Sequence, residues 1–262
     1  LTVATGGLTL NGGASYSGAT ALSADSAAPT SIAYNYNTPP STTGFSGSGA
    51  VTIAPAVGST FTSAFTPGYT FDSTLTGLTL GANSSTHTQT MTIGSAISIA
   101  GPISVYGGSI TVNKNLTSSA AGQGILLKAT GNIAQAASTT VQTNGGNITY
   151  WANSASGGSG YISVGTSAVI DSRTSTGRAG ASAISTSLAG GGNITLAGGA
   201  DDAANGGTAN DGIPDGYAIT ASSRGIDLNT ASVYSGGGNM LMRGKSTGAS
   251  AFWGSGMQLN AG

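Results

Sequence analysis

Cysteine and glutamate are both absent from the 262 residues, and histidine occurs once, at position 87. Without thiols there is no disulfide framework, thiol nucleophile or Cys-ligated metal, and one imidazole cannot build a structural zinc site. Acid/base pairs made of glutamate are excluded in the same way. A Ser/His/Asp triad would have to use His87, but that residue lies in the polar stretch Ser84-Ser85-Thr86-His87-Thr88, where an exposed loop or strand position is expected. Charge is also scarce: 7 basic and 8 acidic side chains make 6% of the chain, against about 25% in an ordinary soluble domain. Seven scattered cations and a net charge of −1 give no basic stripe, so no nucleic-acid partner is expected. No apolar run approaches the roughly 18 residues of a membrane-crossing helix, so the chain reads as not membrane-spanning.

Glycine is abundant, with 45 residues, and Ser, Thr and Asn carry the polar load. These residues disfavour helix interiors, because they compete for backbone hydrogen bonds or add chain entropy. A hydrophobic share of 38% is nevertheless enough to fold. The apolar residues recur in short alternating pairs bounded by Gly or Asn, a pattern of strands and turns.

Self-similarity is the strongest signal. Gly145-Gly146-Asn147-Ile148-Thr149-Tyr150, Gly191-Gly192-Asn193-Ile194-Thr195-Leu196 and Gly237-Gly238-Asn239-Met240-Leu241-Met242 begin at a constant interval of 46 residues. A looser copy is Gly107-Gly108-Ser109-Ile110-Thr111-Val112. Ile162-x-Val164-x4-Val169 matches Ile226-x-Leu228-x4-Val233, and Ile103-x-Val105-x4-Ile110 has the same spacing. Each phrase predicts a strand, and each Gly-Gly-Asn a corner in which glycine adopts positive φ. Three such strands per turn, stacked about 4.8 Å apart, make a right-handed parallel β-helix. Asn147, Asn193 and Asn239 would then lie above one another, as a structural hydrogen-bonded ladder or, as the lesser reading, a metal or ligand row. Inward positions are predicted at Ile103, Val105, Ile110, Val112, Ile125, Leu127, Val141, Ile148, Ile162, Val164, Val169, Ile194, Leu196, Ile226, Leu228, Val233, Met240, Met242, Met257 and Leu259.

Residues 91–262 therefore read as β-helix repeats with insertions at about 173–188 and 198–216. Residues 1–90 carry five of the seven prolines and four of the five phenylalanines. They read as an irregular β region, either a continuation of the solenoid, which is favoured, or a small β module leaning on it. The chain starts without Met at Leu1-Thr2-Val3 and ends inside a repeat, as expected of a piece of something longer.

The phrases Gly-Gly-Asn-Ile-Thr-Leu (191–196), Gly124-Ile125-Leu126-Leu127-Lys128-Ala129-Thr130-Gly131-Asn132-Ile133 and Ser98-Ile99-Ala100-Gly101-Pro102-Ile103-Ser104-Val105-Tyr106-Gly107-Gly108 resemble the β-helical repeats of filamentous-haemagglutinin-like exoproteins. These are very large bacterial surface and secreted adhesins. The resemblance covers residues 75–262 and implies export through an outer membrane and a role in attachment, aggregation or surface coating.

Two sets of residues are candidates for binding. Half of the eight acids fall between Asp201 and Asp215, and Asn210-Asp211-Gly212-Ile213-Pro214-Asp215-Gly216 looks like the calcium repeats of bacterial surface proteins. Asp201, Asp202, Asn210, Asp211 and Asp215 are thus candidate Ca2+ ligands, the alternative being a solvated acidic loop. Trp151, Tyr234 and Trp253 are candidate glycan-stacking aromatics on exposed flanks. Asp171/Arg173 and Arg224/Asp227 are the close acid/base pairs outside the loop, and both read as surface ion pairs. No catalytic residue is assigned. The sequence is read as all-β and as a non-catalytic rod segment of an extracellular, cell-surface adhesin, whose partner is a cell-surface glycan or partner-cell surface. The alternatives are a self-associating filament or surface-layer component, whose partners are copies of itself, and a polysaccharide-binding or polysaccharide-degrading β-helix.

Overall fold

The computed structural model describes residues 44–55, 60–155, 158–179, 190–221, 224–248 and 256–260, together with the backbone of strands at 2–3, 8–11, 22–24 and 31–35. Alternating apolar and hydroxyl-bearing residues form short strands. Helix is confined, among the described residues, to the single turn Ser175–Ala179 and a 3-10 turn at Ala204–Gly206.

Three sheets carry most of the strands. A nine-stranded sheet runs in order through Leu8–Asn11, Ser31–Asn35, Ala50–Ala54, Gly77–Leu80, Ile103–Gly107, Ile125–Ala129, Ile148–Ala152, Ile194–Gly198 and Met240–Met242. A six-stranded sheet runs through Thr90–Ile93, Ser109–Val112, Ile133–Gln135, Ile162–Val164, Ile226–Asn229 and Met257–Asn260. A five-stranded sheet runs through Ile97–Ile99, Leu116–Ala121, Thr140–Asn144, Val169–Asp171 and Ser232–Tyr234. Every pairing within them is parallel. From Gly77 onward the chain visits the nine-, six- and five-stranded sheets in turn and then begins again, with Ala218–Thr220 and Gly244–Ser246 pairing as an extra two-stranded parallel sheet between the nine- and six-stranded ones in the last circuits. A four-stranded sheet, Thr2–Val3, Leu22–Ala24, Gly44–Gly47 and Thr70–Phe71, serves the N-terminal portion.

Parallel register places like on like. Leu78, Ile103, Ile125, Ile148 and Ile194 form one buried row, and Met91, Ile110, Ile133, Ile162 and Ile226 another. Each such side chain contributes about 1.5–3 kcal/mol on burial. Polar members of the rows are satisfied internally. Gln135 donates to the Thr139 and Val169 carbonyls at 3.0 and 3.1 Å and accepts the Tyr150 hydroxyl at 2.7 Å. Burial pushes the Tyr150 phenol well above its ordinary pKa. Near residue 45, where aromatics are dense, Phe45 stacks on Phe71 and Tyr69 meets both edge-on, with all three ring centroids within 6.2 Å of one another, and Phe65 bridges to Met91.

Several predicted inward positions shift. Ile170, not Val169, stacks on Val141 and is buried, because the turn after Val164 is one residue longer than the turn after Leu228. Met240, Met257 and Leu259 are 47%, 44% and 66% exposed, since they lie on the last strands of their sheets, with no further rung above them among the described residues. The looser copy around Ile110 belongs to the six-stranded sheet, whereas Ile148, Ile194 and Met240 are neighbours in the nine-stranded one. The interval of 46 is therefore one circuit plus an insertion, made at a different corner each time: after Asp171 in the first case and after Gly198 in the second.

The corners use their two glycines differently. Gly145 and Gly237 have φ of 79° and 99°, whereas in the middle copy the positive φ falls at Gly190, one residue before the predicted pair. The second glycine of each pair serves close stacking. A Cβ on Gly192 would lie 2.2 Å from the Gly146 carbonyl oxygen, and one on Gly238 2.1 Å from that of Gly192.

Candidate functional site

The excursion from Gly199 to Gly216 leaves the nine-stranded sheet and folds back over its outer face. It is held by its own carboxylates. Asp215 is buried and accepts the backbone N–H groups of Asp202 and Ala203 at 3.1 and 2.8 Å, with Arg243 3.7 Å away. Arg243 also donates to the Asp215 carbonyl at 2.7 Å. Asp201 accepts Asp211 N–H and Gly212 N–H at 3.2 and 2.9 Å, and Asp211 accepts Ile213 N–H at 2.8 Å. Asp202 and Asn210 are exposed. Among the described residues no group of three or more acidic or histidine side chains is placed to hold a metal ion. The oxygens of Asp201, Asp211 and Asp215 stabilise the loop itself.

Trp151 projects from the outer face, as strand alternation requires, but it is only 5% exposed. Its indole N–H donates to the Gly199 carbonyl at 2.7 Å, and the Lys128 ammonium sits 3.8 Å from its ring centroid. The expectation of an open stacking platform at Trp151 is corrected accordingly: the insertion and Lys128 cover the ring. Desolvation lowers the pKa of Lys128, with Asp201 opposing. Between sheet and loop lies a recess of about 500 Å³ lined by Asn83, Leu126, Lys128, Trp151, Ser154, Ala200, Asp201, Asn210 and Gly212. A second recess of about 260 Å³ adjoins it at Leu126 and Gly212 and adds Ser104, Asn147 and Thr149, and the two neighbouring recesses are together called the trough.

The other candidates lie apart from this trough. Tyr234 is 41% exposed on the edge strand of the five-stranded sheet, with the Arg173 guanidinium 4.1 Å over its ring. Trp253 lies outside the described residues. Asp171 and Arg173 are not a surface pair: Asp171 is 2% exposed and accepts from Arg173 Nε and Nη2 at 3.0 and 2.8 Å, with Arg178 at 3.6 Å. That hydrogen bonding raises the pKa of Arg173. Arg224 and Asp227 pair at 3.0 Å and are partly exposed. His87 is buried rather than exposed, accepting Ala82 N–H on Nε2 at 3.1 Å, and burial lowers its pKa. Along the stack, the Asn147 side-chain oxygen accepts Asn193 N–H and that of Asn193 accepts Asn239 N–H, each at 2.9 Å, so these rungs run from side chain to backbone.

Sequence reasoning overlooked Lys128 and Arg243. Lys128 was readable as an outward position of Ile125–Ala129. Arg243 lies 28 residues from Asp215, and no local spacing announces that pair. No family model, curated protein or solved structure matches the chain.

Proposed function

We propose that the chain is a non-catalytic rod region of a large extracellular bacterial adhesin, a right-handed parallel β-helix that mediates attachment or surface presentation. One observation carries this reading: the chain repeatedly visits three parallel sheets in fixed order, with like residues stacked from circuit to circuit. Parallel strands joined by crossover connections are right-handed in nearly all proteins, which supplies the hand. A stack of this kind grows along one axis while its corners accept insertions, which suits a stalk that displays loops. The low charge and the family resemblance of residues 75–262 point to the same role at a cell surface. The test is saturable binding of the purified chain to a glycan array and to cells, with calcium and then with chelator. Binding that survives chelation is expected, because Asp201, Asp211 and Asp215 already accept backbone amides. Binding lost on chelation would assign the recognition to a Ca2+ site in the acidic loop instead.

A second reading, self-association into a filament or surface layer, is favoured by the low charge of the chain, which gives strand edges little protection against pairing. Silence toward glycans and cells under both conditions would leave it as the better account.

A further inference from the structure

The outer face of the nine-stranded sheet holds an ammonium group whose hydrogen-bonding capacity the protein leaves unused. Lys128 rests on the Trp151 ring, and among the described residues its Nζ makes no ion pair or hydrogen bond. Asp201 lines the same recess and accepts the N–H groups of Asp211 and Gly212 on its two carboxylate oxygens, but it makes no ion pair with Lys128. The three N–H donors of Lys128 are therefore free for a group entering the recess of about 500 Å³ that Lys128 lines.

We propose that the trough binds an oligosaccharide bearing one carboxylated sugar, with the carboxylate paired to Lys128. The recess has the size of a small-molecule site, and its floor is Leu126 and Lys128 backed by Trp151. Amide and hydroxyl groups lie on both sides of Leu126: Asn83, Ser154 and Asn210 in the larger recess, Ser104, Asn147 and Thr149 in the smaller. That distribution suits successive hydroxylated rings better than an isolated anion, and Leu126 offers an apolar contact to the C–H face of a ring. The charge balance selects further. Lys128 is the one cation among the residues lining the trough, Asp201 stands beside it, and the chain has a net charge of −1. A polymer charged at every unit, such as a sulfated glycan or nucleic acid, would meet Asp201 after its first contact, whereas a largely neutral chain with one carboxylate would not.

This inference rests on the attachment reading, and its test separates the two. The 262-residue chain is titrated calorimetrically with two matched pairs of probes: a glucuronate-terminated oligosaccharide and its carboxyl-reduced form, and a sialate-terminated one and its reduced form. The wild type should prefer the acid of at least one pair by about tenfold or more, the effect of a charge-assisted hydrogen bond. Lys128→Met, which keeps the apolar stem over Trp151, should bind both members of the pair alike. Leu126→Trp, which fills the trough and leaves Lys128 in place, should bind neither, so the prediction stands even where one variant folds poorly. Equal binding of acid and reduced form by the wild type, retained preference in Lys128→Met, or silence toward both pairs would overturn the proposal. Cell attachment that persists unchanged in Lys128→Met would sink this site and spare the attachment reading. Acid-selective binding without cell attachment would do the reverse.

Discussion

His87 is the one imidazole of the chain, and the serines and threonines around it conceal its burial. Its Nε2 accepts Ala82 N–H, its carbonyl accepts the Thr130 hydroxyl at 2.7 Å, and its Nδ1 is enclosed without a partner. Charging this ring in place requires desolvating the cation, which is why its folded pKa lies below the ordinary 6.5. The unfolded chain then binds the proton more tightly than the folded one. This contribution to stability is complete above pH 6.5 and is lost as pH falls through the depressed folded value. Thermal melts from pH 7.5 to 5.0 should show the wild-type midpoint falling and the His87→Gln midpoint falling less; parallel profiles would remove His87 as the cause. Trp151 and Asp171 teach the same lesson. Alternation correctly placed Trp151 on the outer face, but a covering loop that begins 48 residues later, at Gly199, decided its exposure. Asp171 was visible beside Arg173, but its burial depends on Arg178 and on the edge strand Ser232–Tyr234. Tertiary cover of this kind leaves no local trace.

At the scale of the element, corner and strand differed in how well they could be read. Period-two alternation announced the strands and identified most buried residues, because that spacing follows from the pleat itself. It could not say to which sheet a strand belongs. Ile103-x-Val105 and Ile162-x-Val164 share one pattern, but the first lies in the nine-stranded sheet and the second in the six-stranded sheet. Every face of the stack presents an apolar pair followed by a tight corner, so the pattern carries no label for the face. The glycines were conspicuous, and their second use, letting backbone approach backbone, is a matter of contact between circuits. Gly192→Ala should therefore cost about 1–3 kcal/mol or more, since its Cβ has to push the Gly146 corner away. Gly68→Ala, with nothing within 4 Å of its Cβ, should fall within about 0.5 kcal/mol of wild type. Chemical denaturation of the two variants checks the contrast, and similar losses would mean that the close approach at Gly192 contributes little.

For the molecule as a whole, composition and repeats made the all-β, parallel-stranded architecture legible, while the trough stayed hidden because an insertion assembles it from strands separated in sequence. In this chain Met257 and Leu259 lie on the outermost described strand of the six-stranded sheet, and few charges are present to discourage strand pairing. Sedimentation velocity should show concentration-dependent association that Leu259→Lys suppresses, and a monomer at all concentrations would count against end-to-end stacking. The placement of the insertions has a mechanical consequence as well. Strands begin at 103, 125, 148, 194 and 240 in the nine-stranded sheet, yet each circuit raises the stack by the same inter-strand step of about 4.8 Å. Were tension along the stacking axis to open the rungs, the lengths released would be unequal. A plain circuit pays out about 75 Å of chain, and one carrying an insertion about 155 Å, at the reach of extended backbone. The insertions thus lengthen the chain stored per circuit, chiefly in the circuits after Ile148 and Ile194, without adding to the height of the stack.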